Sequence, residues 1–364
     1  MLVSTRRSEV VAVQAGSVLV VRAADAAAAE PGHAAALAAE PYRTIVVVEG
    51  SAAAELDELS DELVADLQDL VHADAYARGG PAGWGIRLVA PRMARPDASR
   101  ADPLAGRLAD RLGLEVIAPD GELVTLRGGE LFSAGPGAGW VGFRPGHDPE
   151  WSGPRYPAPV WQAALSGVAP SRGTTVTSIP AGLWVRVAGA AALPLVDLGF
   201  GVPAEPHRPI VLVGAPGEDV PGVAELAALY EAFPAEIRES AVLAPYGQDP
   251  RGCAALAQSL ADRLGFLVRG YHALPHYAAD GDRRFAVFGA GGGARPERLS
   301  EAPEAFYRPT APARPRRESV GPAAYGTGLR AITTRDPWVA DDLDELDPAT
   351  YVISDLTVYA DGRP

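Results

Sequence analysis

The six residues Leu-Ala-Asp-Arg-Leu-Gly occur twice in this 364-residue chain, at 108–113 and at 260–265. Laid on itself at that spacing, the chain matches in further segments that keep one order. "VLVVRA" (18–23) meets "LWVRVA" (183–188), "TIVVVEG" (44–50) meets "PIVLVGA" (209–215), and "IRLVAP" (86–91) meets "AVLAP" (241–245). Around the shared hexapeptide, "LADRLGLEV" meets "LADRLGFLV"; beyond it, "DGELVTL" (120–126) meets "DGDRRFAVF" (280–288) and "GFRPG" (142–146) meets "FYRPT" (306–310). Repetition over such a period predicts a tandem duplication. It restricts the chain to a fold that half its length can complete.

Each copy alternates strand and helix. "TIVVVEG" is a continuous apolar run of the kind buried on both faces of a sheet. Ala24–Glu40 reads as an Ala-rich helix, and Ser51 stands where it could cap a second one. In that second helix Leu56, Leu59, Leu63, Leu67 and Leu70 recur at helical spacing. "DPLAGRLADRLG" has Pro103 near its first turn and Gly113 at its C-terminal end. Leu108 and Leu112, like Leu260 and Leu264, then face the sheet, which leaves Asp110, Arg111, Asp262 and Arg263 in solvent. "ELVTLRGGELFSAGPGAGWVGFRPG" reads as a hairpin or meander. The expected fold class is α/β: a tandem duplication of a mostly parallel, helix-covered sheet, Rossmann-like or caspase-like, each copy ending in a β-hairpin. Such a sheet carries helices on both faces. The expected boundaries are a first module over 1–150, a linker over 151–181 and a second module over 182–310. Residues 311–364 read as a Pro/Arg-rich linker with a C-terminal appendage or a truncated third unit.

Composition narrows the function. A formal charge of −14 argues against nucleic acid or an anionic membrane as partner. The chain has no Lys and no Asn, so all 32 basic residues are Arg, as mutational bias in a GC-rich genome produces. That removes a Walker-type phosphate-binding Lys, a Schiff-base Lys, a Ser–Lys dyad and Asn glycosylation. A single cysteine, Cys253, rules out an internal disulfide framework and cysteine-cluster metal sites, and fits a cytoplasmic location. The Arg pair near the N-terminus precedes an apolar stretch that Glu9, Gln14 and Arg22 interrupt, unlike a signal peptide. Export by a route without a cleavable signal is the other reading. No run approaches the ~18 apolar residues that span a bilayer.

The candidate chemistry is sparse. Cys253 follows a strand and opens a helix, where a thiol can be activated, and His272 and His276 in "YHALPHY" follow the next strand. An alanine-like buried cysteine is the plainer reading of the same residue. The two histidines have the spacing of paired zinc ligands on a helix, but Pro275 between them opposes a helix, so no metal is expected. "GAPGEDVPG", with Gly214, Gly217 and Gly222, lies where nucleotide folds cradle phosphate, yet Glu218 and Asp219 would repel one. No cofactor is expected. The acidic run 336–348 reads as a solvated helix.

The succession of helix "xLADRLG", strand "xVxAP" and "DGxL…GWxxFxPG" over 86–146 resembles α/β modules of large actinobacterial polymorphic-toxin and secretion-associated proteins. There, a unit similar to caspase-like peptidase folds precedes variable effector domains. The resemblance implies a cysteine at the end of the strand before the "LADRLG" helix and a histidine after the preceding strand. "VAPRMA" and "LAPYGQ", with "VVEGSA" and "LVGAPG", hold neither. The sequence therefore points to a non-catalytic scaffold or interaction module with a protein partner, as the N-terminal part of a larger protein. Its contact surface would be the carboxyl edges of the sheets. A cysteine hydrolase using Cys253 with His272 or His276 is the alternative.

Overall fold

The structure is a computed structural model. It describes residues 10–24, 37, 39–49, 52, 58, 60–80, 83–96, 101–126, 129–277, 283–288, 294–297, 304–310, 352–354 and 357–359. The chain divides into two compact units, Met1–Ala158 and Pro159–Pro364.

In the first unit β1 (Val10–Ala15) and β2 (Val18–Ala23) form an antiparallel hairpin, turned at Gly16 with φ of 62°. β3 (Arg43–Val48), β4 (Gly85–Val89) and β5 (Glu115–Pro119) then add in parallel, one after another. α1 (Asp61–Ala77) links β3 to β4, and α2 (Leu104–Leu112) links β4 to β5. β6 (Glu122–Thr125) and β7 (Leu131–Ala134) leave the sheet as a hairpin. β8 (Trp140–Phe143) returns antiparallel to β5, β9 (Glu150–Trp151) pairs with β8, and β10 (Arg155–Tyr156) joins β7.

The second unit opens with α3 (Gln162–Leu165) and a hairpin of β11 (Thr174–Ile179) with β12 (Gly182–Val187). β13 (Ile210–Val213), β14 (Val242–Pro245) and β15 (Val268–Tyr271) add in parallel. α4 (Val223–Ala232) and α5 (Ala235–Ser240) precede β14, and α6 (Pro250–Leu264) precedes β15. β16 (Leu274–Tyr277), β17 (Arg283–Phe288) and β18 (Ala294–Glu297) make a small sheet of their own. β19 (Glu304–Tyr307) then returns antiparallel to β15. A last pair, β20 (Val352–Ser354) and β21 (Thr357–Tyr359), forms a two-stranded sheet of its own.

Both main sheets are thus mixed α/β layers with a parallel centre. Their strands follow chain order without reversal: β1-β2-β3-β4-β5-β8-β9 in one, β11-β12-β13-β14-β15-β19 in the other. An order that always advances the same way returns each crossover to the same face. In the first unit Leu19, Val21, Val46, Ile86, Leu88 and Val116 pack with Leu63, Leu67, Leu104 and Leu108 of the helices. The opposite face (Val18, Val20, Ile45, Val47, Ile117) packs against Leu131 and Trp140 instead. In the first unit, therefore, the expected helices on both faces are not found among the described residues; one face carries helices and the other a small β layer.

Local signals explain several helix ends. Gly113 and Gly265 close α2 and α6 in the left-handed conformation, φ 67° and 75°, and donate N–H to Ala109 and Ala261. Ser60 caps α1 by accepting from the Leu63 N–H, and Asp249 caps α6 by accepting from the Gly252 N–H. The expected cap Ser51, with Leu56 and Leu59 and nearly all of the helix expected over 24–40, lies outside the described residues. Of the "LADRLG" charges, Arg111 pairs with Asp61 in solvent. Asp262 does not merely face water: its Oδ1 accepts from Gln258, from the Thr310 N–H and from the Thr310 hydroxyl. The stretch 151–181, read above as a linker, contributes β9, β10, α3 and β11. Its edge strands are short or poor in aliphatic residues, so they leave little apolar periodicity to read.

Candidate functional site

Cys253 sits in the first turn of α6, beside the carboxyl end of β14, and is 2% exposed. Its Sγ lies 3.8 Å from the Pro245 carbonyl and 3.7 Å from the Gln248 carbonyl, both acceptors. Burial, with the charge of Asp249 beside it, pushes the thiol up to about 12. The helix N-terminus that could have activated it is outweighed by loss of water.

His272 follows β15 and is buried. Its Nε2 bonds the Tyr307 hydroxyl, while Nδ1 has no hydrogen-bond partner among the described residues. Burial pulls the imidazole down to about 4, so the ring is neutral at pH 7. His276 lies within β16, opposite Arg284, with Nδ1 buried and unbonded among the described residues. No hydrogen bond among the described residues joins the sequence-predicted trio to one another. The hydrogen bonds of the thiol go to main-chain carbonyls and not to an imidazole.

The glycine loop is occupied by its own chain. The Gly214 carbonyl accepts from the Trp184 indole at 2.7 Å, and Gly214 holds φ of 76°. Gly217 (φ 79°) is the turn position before Glu218, whose carboxylate forms a two-point pair with Arg186. Gly222 caps α4, and the Glu225 carboxylate folds back to where a Gly222 Cβ would stand. A carboxylate already occupies the place an anion would take at that helix end.

Two clusters escaped the sequence reading. At the starts of β3 and β13 the chain reads Glu40-Pro41-Tyr42-Arg43 and Glu205-Pro206-His207-Arg208. Glu40 binds the Arg87 guanidinium through two oxygens, and both groups are buried. The Arg87 guanidinium also stacks 3.5 Å from the Tyr156 ring centre and 4.9 Å from that of Trp140. Arg43 links Glu40 to Glu115, which Arg144 holds from the other side. Burial raises the Glu115 carboxyl, but the hydrogen bonds and charges of Arg43 and Arg144 outweigh it and hold the group below the usual range.

In the second unit Arg208 bridges Glu205 and Glu304, and the Tyr271 hydroxyl donates to Glu205 at 2.8 Å. The repeated Glu-Pro-x-Arg was the signal that would have found this ionic cluster in both units. The second cluster is aromatic: Trp184, Phe200, Tyr246 and Phe288 pack in a chain at the carboxyl edge, with the Tyr246 hydroxyl 3.0 Å from Asp197. Beside Asp197 the loop after β12 exposes Leu195, Val196 and Leu198, Val196 at 91%.

Among the described residues no three His, Cys, Asp or Glu side chains gather as a metal site, and no helix is long and apolar enough to cross a membrane. No protein-family model matches this chain, and no curated protein matches it.

Proposed function

We propose that this chain is a tandem pair of copies of one α/β module acting as a non-catalytic scaffold that binds a protein partner. Several correspondences support the duplication. The two sheets share strand order and pairing sense. Val18 opposite Ile45 and Gly182 opposite Ile210 align β2 with β12 so that Arg22 falls on Arg186, one residue from the register of the matching sequence segments. The same register aligns Ile45 with Ile210, and so Glu40 with Glu205 and Arg43 with Arg208. Phe143 opposite Val116 matches Tyr307 opposite Val268. The kinship with toxin-associated and secretion-associated modules rests on the sequence resemblance alone.

The observation that carries the non-catalytic reading is the state of Cys253. Buried, with its Sγ turned to the Pro245 and Gln248 carbonyls and its thiol pushed up to about 12, it stays protonated at pH 7. The contact surface is the carboxyl edge of the second unit, where Leu195, Val196 and Leu198 stand in water without polar function. Nucleotide binding is disfavoured because sheets without a reversal of strand order lack the crevice such ligands use. The test is turnover of peptide and ester substrates by the full chain and by Cys253→Ser. The scaffold reading expects equal, background rates; a rate that Cys253→Ser abolishes overturns it.

A further inference from the structure

Natural sheets guard their edges with charges, prolines, bulges or very short strands, because an edge offers a row of unpaired N–H and C=O groups. The first unit's far edge, β9, is two residues long and carries Glu150. The second unit's far edge, β19, carries Glu304, engaged by Arg208. β11 has none of these guards. Its six residues, Thr-Thr-Val-Thr-Ser-Ile, include no charge and no proline, and all of them pair with β12 in unbroken register. Among the described residues β12 is its one neighbour in the sheet.

The outward groups of β11 can be assigned. The Ala188 N–H donates to the Gly173 carbonyl, so residue 173 lies in a hydrogen-bonded pair with β12. Such pairs alternate along an antiparallel ladder, so Thr175, Thr177 and Ile179 also bond inward. Thr174, Val176 and Ser178 therefore point their main-chain groups outward. The Thr174 N–H is already given to the Ser171 carbonyl. Among the described residues, Val176 and Ser178 keep both N–H and C=O available to an added strand.

We propose that β11 is a strand-addition site and that its occupant is β11 of a second copy of this chain, running antiparallel. The strand is complementary to itself. A two-fold axis at Thr177 sets Val176 opposite Ser178 of the other copy, and these residues exchange N–H and C=O in both directions. The same register sets Thr177 opposite Thr177, a favourable cross-strand pair, and Thr175 opposite Ile179. The chain carries a net charge of −14, yet none of that charge lies on this strand to oppose a second copy. The pairing uses an edge of the sheet rather than the apolar loop of Proposed function, so the two stand or fall separately.

The experiment is sedimentation velocity on the full chain over about 1–200 μM, with variants that change the edge alone. Val176→Pro removes one outward donor, the place where an edge strand tolerates proline. Thr177→Lys sets like charges directly opposite each other and reads the same contact should the proline variant fail to fold. The expected result is a concentration-dependent dimer whose Kd rises at least roughly tenfold in either variant, with the melting temperature of the folded variant within a few degrees of the parent. Because Cys253 is buried, an introduced thiol is the reactive one. Under mild oxidation Thr177→Cys forms an interchain disulfide faster than Thr175→Cys, since only position 177 faces itself. A monomer at every concentration, a dimer indifferent to both variants, or equal crosslinking at 175 and 177 overturns the proposal.

Discussion

His272 shows how one buried side chain ties the second unit to pH. Its imidazole is neutral in the fold, pulled down to about 4, whereas the unfolded chain takes up the proton near 6.5. Between those values the unfolded state binds more protons, so stability is full above about pH 6.5 and is lost as pH falls towards 4. The loss amounts to on the order of 3 kcal/mol below both values. Urea unfolding midpoints at pH 7.5 and pH 4.5 should therefore separate in the parent and converge in His272→Gln. This behaviour was not legible in "YHALPHY", where two histidines suggest ligands or bases. The sequence does not say that Tyr307, 35 residues away, supplies the partner of Nε2. Arg92 is similar: it holds φ of 61° after β4, where the second unit places Gly247 at 83°. Only the paired strands reveal that the two positions correspond.

At the scale of elements, the starts of β3 and β13 are fastened by the same four-residue pattern. The two fastenings differ. Glu40 and Arg87 are both buried, with side chains 8% and 7% exposed. Such a pair adds little net stability compared with apolar residues, yet removing one member strands the other charge. Glu40→Ala should cost about 3–5 kcal/mol, and adding Arg87→Met should recover much of that loss. Chemical denaturation of the two single variants and the double variant measures the coupling; purely additive losses would show that the pair does not act as a unit.

The elements themselves were unevenly legible. The buried strands and the glycine ends of α2 and α6 follow from apolar runs and from the αL preference of glycine, both local properties. β11 did not follow, because Thr-rich edge strands lack the aliphatic alternation that marks a half-buried strand. The Glu-Pro-x-Arg pattern was present in both units, but it serves packing and not a recognisable chemistry. A search for nucleophiles and ligands passes over it.

Over the whole molecule, each main sheet advances in chain order; the first lays its helices on one face and a small β layer on the other, and the second packs its helices against Leu183, Val185, Val211 and Val213. The crevice that doubly wound sheets open at a reversal of strand order is missing from this plan. What remains at the carboxyl edge of the second unit is an apolar loop, an aromatic cluster and a thiol held by two carbonyls. A non-catalytic role requires that thiol to be inert in the folded protein. The rate of iodoacetamide alkylation of native Cys253 from pH 6 to pH 10 reads its state directly, with the urea-unfolded chain as reference. The prediction is a native rate at least about 100-fold below the unfolded one, with no titration step below about pH 9. Rapid alkylation of the native protein near pH 6–7, with a midpoint well under 8, would contradict it and return Cys253 to the role of nucleophile.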